Sequence, residues 1–345
     1  PEISLDVPAL KIGSTRFYYQ TDTSASNLYN RRAGLSDYEA IRFDSFNQFS
    51  YVGKLFNWLY FTPYVGARET WYSEDVNGET LNRAIFYSGI SLNTTFWRIF
   101  DLETDFLGME ISGLRHLITP GISHNYRYKD PGLEQDKILD FDSIDEITGY
   151  NAVTFSLENK LQTKRKFGDE TEKFDLADMI MSISYFPGTN KISDLEADLE
   201  LRPYSWLTCR FDTSYSLDDE TVETFNVDLI ADGGDKWRFG LGNRYLRNED
   251  NELTAQARYK LSPKWNVRGY QCWGYQGGDV MSTRLVEQEY GIERDLHCWT
   301  AELVWNRKDA DTIWFVIRLK AFPQIEVKGR ATYNEPEIGE HGSGY

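Results

Sequence analysis

The densest collection of chemically capable side chains is the stretch GLRHLITPGISHNYRYKDP, which carries Arg115, His116 and His124. An arginine beside a histidine, with a second histidine downstream, offers the residue types of a proton relay or a metal site. The flanking pattern is that of a β-strand, however, in which residues eight apart stand about 26 Å apart. Imidazoles at that separation share neither a metal nor a proton. The stretch therefore reads as wall: Arg115, His116 and His124 line a polar lumen or substrate path, and Pro120 interrupts the ladder.

Other clusters yield no catalytic constellation. Cys209, Cys272 and Cys298 are scattered, without a CxxC pair or a histidine at ligand spacing, so no zinc site is expected. The acidic runs DSIDE and RNEDNE offer the hard oxygens that calcium or magnesium take, but the EF-hand spacing is missing and both read as solvated loops. There is no GxSxG and no nucleophile paired with a nearby histidine. The expectation is a non-enzymatic protein without metal or cofactor.

The elements that carry these residues alternate with period two. In ELTAQARYKL, Leu253, Ala255, Ala257, Tyr259 and Leu261 alternate with Glu252, Thr254, Gln256, Arg258 and Lys260. LEADLELR, WTAELVW and IWFVIRLKA behave alike, each with one apolar and one polar face. Turn clusters such as FPGTNK, ADGGDK and LSPKW recur roughly every 13 to 18 residues, which makes strands of about 9 to 12 residues, long enough to cross a bilayer when tilted. DSIDEITGYN is the best helical candidate, and it is too short and polar to be more than a turn in a connection from Lys129 to Tyr150.

Composition points the same way. Of 345 residues 15% are aromatic, and many tryptophans sit at strand ends, where interfacial girdles lie. No run of about 18 apolar residues exists, which excludes a spanning helix and leaves a membrane barrel open. Lysine plus arginine number 37 against 54 acidic residues, a formal charge of -17, so nucleic acid is not an expected partner. The expected fold is all-β, an antiparallel transmembrane β-barrel with about sixteen strands visible. PEISLDVPALKIG reads as the middle of a domain, so the chain is expected to be part of a larger barrel, with residues 1–323 in the barrel and 324–345 as a polar tail. A generic porin or substrate-specific channel and a soluble β-rich carbohydrate-binding protein are the alternatives.

Two blocks add a resemblance. In the first, Arg115, His116, Pro120, Tyr126 and Tyr128 precede Phe141, Asp142, Ser143, Asp145 and Ile147, and then Asn151, Leu157, Asn159 and Leu161. The second is LSPKWNVRGYQCWGY, followed by EQEYGIERDLHCWTAELVWNRK and DTIWFVIRLKAF. In this order they resemble the barrel domain of the LptD family of lipopolysaccharide-assembly proteins. His297 stands where that family often has the first of two adjacent cysteines, and Lys320–Phe322 replaces its RGL ending.

The resemblance implies a translocon in the outer membrane of a Gram-negative, diderm bacterium. Lipopolysaccharide arrives along a periplasmic bridge that includes LptA, its glycan passes through the lumen, and its lipid leaves sideways among the outer-membrane lipids. A plug lipoprotein, LptE, is the implied partner. The lateral seam lies between first and last strands, with Thr312 to Phe322 as the last strand and Thr312, Trp314, Val316, Arg318 and Lys320 as its closing residues. For Cys298 two readings stand: a disulfide to a periplasmic domain, which the resemblance implies, and a free thiol.

Overall fold

The structure, a computed structural model, describes residues 1–30, 38–129, 137–167, 170–276, 283–308 and 311–328. The fold is all-β, a 21-stranded antiparallel sheet, with a 3-10 turn at Phe106–Gly108. The strands begin with β1 (Glu2–Lys11), β2 (Phe17–Asn30), β3 (Tyr38–Tyr51), β4 (Gly53–Leu55), β5 (Leu59–Tyr72), β6 (Leu81–Asn93) and β7 (Phe96–Thr104). Next come β8 (Ile111–Lys129), β9 (Tyr150–Phe167), β10 (Glu170–Phe186), β11 (Lys191–Ile192), β12 (Leu195–Tyr204), β13 (Leu207–Ser216) and β14 (Thr221–Asp232). The series ends with β15 (Trp237–Leu246), β16 (Asp250–Ser262), β17 (Trp265–Gln276), β18 (Arg284–Asp295), β19 (Trp299–Arg307), β20 (Asp311–Leu319) and β21 (Phe322–Lys328). Part of the excess over the expected sixteen is the short pieces β4 and β11, whose three and two residues show no periodicity, and β21, which lies mostly beyond the expected end of the barrel.

Two compact units can be distinguished. The first comprises Pro1–Phe96, Ile118–Leu157 and Ser182–Ser193; the second comprises Trp97–Leu117, Glu158–Met181 and the chain from Asp194 onward. In the first, β1, β2, β3, β5, β6 and the later half of β8 pair in that order, every neighbour antiparallel. In the second, β12 to β21 form an antiparallel meander in which each strand pairs with the next.

Both units are inside out relative to a soluble sheet. Among the described residues, 18 polar or charged side chains are buried against 11 apolar ones. In β19, Glu302 and Asn306 are buried while Trp299 and Leu303 are exposed, and in β3 Arg42 and Asp44 are buried while Ile41, Phe43 and Phe49 are exposed. Water drives apolar surface inward, so this arrangement is stable only where the outer surface meets hydrocarbon.

The second unit also carries an aromatic rim. Trp206, Trp237, Trp265 and Trp299 occupy the successive β12–β13, β14–β15, β16–β17 and β18–β19 connections or the first residue after them. Alternate connections of a meander lie at one end of the sheet, so the four indoles mark one level, as an interfacial girdle requires. Trp206 stacks on Tyr204 at 5.1 Å and Trp237 lies 6.5 Å from Trp206. Tyr72 at the end of β5 and Trp314 within β20 are instead buried and take no part in such a rim.

The sheet also runs past the boundary expected from sequence. β21 pairs Val316 with Lys328, Ile317 with Val327 and Arg318 with Glu326, so residues up to 328 belong to a strand rather than to the tail. Residues 329–345 of that expected tail lie outside the described residues. Consequently the segment Thr312 to Phe322 is not the last strand: β20 ends at Leu319 and β21 follows it.

Candidate functional site

In the first unit, strand parity projects Arg42 and Asp44 from β3, Arg68, Thr70 and Tyr72 from β5 and Arg83 from β6 onto the covered face. Cross-strand register sets Arg42 opposite Tyr72, Asp44 opposite Thr70 and Thr70 opposite Arg83. Arg42 and Arg83 are each only 1% exposed. A guanidinium cannot shed its charge, so burial at that level demands compensating acceptors.

They come from the segment between β8 and β9. Asp140 O accepts from Asn30 Nδ2 at 3.1 Å and from Tyr38 Oη at 2.7 Å, and the Phe141 ring packs edge-on against Tyr38 at 5.1 Å. The Asp142 carboxylate then meets Arg42 in a fork: Nη1 donates to Oδ1 at 2.8 Å and Nη2 to Oδ2 at 2.6 Å. Two parallel charge-assisted bonds of this kind fix orientation as well as energy.

Asp145, 1% exposed, anchors the turn from both sides. Its Oδ1 accepts from Arg42 Nη1 at 2.9 Å and from Tyr72 Oη at 2.6 Å. Its Oδ2 accepts from the backbone N–H groups of Phe141 at 2.9 Å and Asp142 at 3.1 Å, closing the FDSID turn on itself. Arg83 completes the contact, donating to Ile144 O at 2.9 Å and to Thr70 Oγ1 at 3.1 Å. In the loop, the Arg42 fork holds the Asp142 carboxyl below the usual carboxylate range, against the opposing effect of partial burial.

The run DSIDE is thus not a solvated loop, as its composition suggests, but a docked one. Arg42 is one hundred residues from Asp142 in sequence, a pairing that no local pattern reveals. The missed signal was the strand side. Three arginines on the inward parity of three successive full-length strands require carboxylates from elsewhere.

The residues named from sequence fall in several places. Arg115 is half-buried in the second unit, with its guanidinium 5.5 Å from the Trp97 ring centre. His116 beside it is also half-buried. His124 is paired across the ladder with Ile90 and shares the face of Ile122, Tyr126 and Tyr128, three exposed apolar residues. Its Nε2 lies 2.9 Å from Asn151 Oδ1. The lumen assignment of His124 is therefore corrected: strand parity puts it on the outward face.

In the second unit, Thr312, Trp314, Val316 and Arg318 share one face of β20, and Trp314 and Val316 are buried there. Arg318 Nη1 donates to the buried Glu302 at 2.7 Å, and Arg268 Nε donates to the same carboxylate at 2.6 Å. Lys320, in the turn after β20, pairs with Asp295. Cys298 is an exposed thiol, Cys209 is half-buried and Cys272 buried. Among the described residues no cluster of histidine, cysteine and carboxylate has a metal-holding arrangement.

An antiparallel sheet with a buried, charged face, an exposed apolar face and an indole rim defines a β-barrel protein of the bacterial outer membrane. Within that class the family signature LptD, LPS transport system D, matches residues 1–271, and the chain belongs to that family.

No curated protein matches the chain. Solved structures similar to it include one titled "Asymmetric conductivity of engineered proteins", at 11% identity and TM-score 0.33, covering 88% of this chain and 98% of that one. A triple mutant of the Rhodopseudomonas blastica porin is similar at 10% identity and TM-score 0.32, covering 87% and 96%. A second mutant of that porin gives 10% and 0.34, with the same coverage. Likenesses at this level carry no further argument.

Proposed function

We propose that this component of the lipopolysaccharide transport system is the outer-membrane translocon itself: the glycan passes along the covered polar face, and the lipid leaves sideways through a lateral seam between the barrel's first and last strands. The single observation that carries this reading is the docked FDSID turn. It fills part of a charged inner face with a segment held by side-chain contacts rather than by ladder hydrogen bonds, which is how a removable stopper is built. A sealed wall would have no need of one.

Support for lateral release comes from the weak ladder of β21, which pairs with β20 over four residues with a shift between Arg318 and Leu319. Short, irregular ladders have few bonds to break. By this reading the seam runs along β21 rather than β20, with Thr312, Trp314, Val316, Arg318 and Lys320 behind it. Arg115 lines the glycan path, whereas His116, of the same parity as His124 on β8, faces outward with it; the plug lipoprotein LptE occupies the lumen, and LptA delivers the substrate.

The test is reconstitution of the full-length protein in vesicles, with and without the bridge and plug proteins. A translocon accumulates lipopolysaccharide on the far leaflet only when supplied through the bridge. A chain that conducts ions freely without partners and moves no lipopolysaccharide is a porin, and the reading fails.

A further inference from the structure

We infer that the Arg42–Arg83 pair is a binding site for an oxyanion, phosphate or carboxylate, carried by the transported glycolipid, and that Asp142 and Asp145 are its built-in occupants at rest. The inference rests on the transport reading and adds to it a place where the substrate is recognised.

The geometry makes the case. Arg42 presents both terminal nitrogens to one carboxylate at 2.8 and 2.6 Å, the fork that matches carboxylate and phosphate alike. Arg83, equally buried, donates to neutral acceptors: the Thr70 hydroxyl and the carbonyl oxygens of Ile144 and Asp145. Among the described residues the buried Nε atoms of Arg42 and Arg83 have no hydrogen-bond partner, so the guanidinium pair retains donor capacity beyond what the loop satisfies.

Charge placement agrees. On the strands the cluster carries Arg42, Arg68 and Arg83 against Asp44 and Asp22, which both pair with Arg68, at 3.3 and 3.7 Å. The balancing carboxylates, Asp142 and Asp145, are both on the loop. Lifting the loop exposes a cationic patch in a chain of formal charge -17. Arg127, on the next covered strand, extends the patch, held over the rings of Tyr87 at 5.5 Å and Tyr150 at 5.7 Å. A buried guanidinium left without an anion is costly, so the loop leaves most readily by exchange for another anion. A passing anionic glycan supplies one, and the loop re-docks once it has gone.

The experiment uses the full-length protein purified with its partners and three probes: lipopolysaccharide, phosphatase-treated lipopolysaccharide, and inorganic phosphate. Hydrogen exchange of the loop amides reports displacement. The expected result is that lipopolysaccharide accelerates loop exchange on the order of tenfold, and that dephosphorylation reduces the effect. In D142N/D145N, which lacks the internal competitor, lipopolysaccharide binds about tenfold tighter, one decade in Kd. Adding R42Q to that variant abolishes the gain. The triple variant leaves fewer buried charges than the wild type, and heat-modifiable migration checks that it is folded.

Loop exchange indifferent to lipopolysaccharide, or equal affinity of wild type and D142N/D145N, overturns the site. Displacement by inorganic phosphate alone makes it a free-anion site and overturns the glycolipid assignment. Vesicle export separates the two claims. Export without loop displacement sinks this inference alone, whereas displacement without export sinks the transport reading and leaves the site standing.

Discussion

The substitution Asp145→Asn isolates the loop latch. It preserves shape but removes the charge that accepts from Arg42 and Tyr72 on one oxygen and from two backbone N–H groups on the other. Whichever way the amide is turned, its NH2 group faces donors. Removing one partner of a buried ion pair costs about 3–5 kcal/mol, and Asp142 remains to compensate Arg42, which places the loss near about 3 kcal/mol. That figure falls on loop docking rather than on the sheet, because none of the lost bonds belongs to a strand ladder. An opening equilibrium shifted by about 3 kcal/mol speeds exchange of the affected amides on the order of 100-fold.

The assay is hydrogen exchange with mass spectrometry on the protein in nanodiscs. Peptides covering 137–149 are compared with peptides from β13 and β14, in the other unit, as internal references. Selective acceleration of the loop peptides is the expected pattern. Unchanged loop exchange refutes the latch. Equal acceleration in the reference strands refutes the claim that the loop is a separable element.

Three further outcomes follow from the same contacts. The Asp142 carboxyl is depressed by Arg42, so its contribution to docking is fully present above the unfolded carboxylate pKa near ~4 and is lost as pH falls through the still lower folded value. Loop protection should therefore be flat from neutral pH down to mild acid and collapse only below that; a midpoint near neutrality contradicts the assignment. Arg165→Ala strips donors from Met109 O and Pro203 O and a guanidinium from the Phe174 face, 3.9 Å away. Two stranded carbonyls cost about 3 kcal/mol, read as faster proteolysis of the 105–110 turn, and resistance equal to wild type tells against it. Phe315→Arg places a charge on the exposed face opposite Leu303 and should cost about 2–4 kcal/mol of folding into vesicles, whereas a neutral effect puts that face in water.

Strand identity was written plainly in the chain, because a sheet between lipid and water imposes period two on long runs. Trp299 and Leu303 exposed, with Glu302 buried between them, match the alternation visible in WTAELVW. Even the outward placement of His124 was visible: Ile122, His124, Tyr126 and Tyr128 alternate with Ser123, Asn125 and Arg127. The docked loop was not visible, because Arg42 and Asp142 are separated in the chain by five intervening strands, β4 to β8. Short strands such as β11 were equally hidden, since two residues establish no period.

The central claim is that lipopolysaccharide travels along the covered face. A photo-crosslinking residue at Gln48, on the covered face of β3, tests it in growing cells, with the adjacent outward position Phe49 as reference. The account expects a lipopolysaccharide adduct at Gln48 that fades when new lipopolysaccharide is no longer supplied, while any adduct at Phe49 persists with the surrounding membrane. No adduct at Gln48 in cells that continue to export lipopolysaccharide would contradict it.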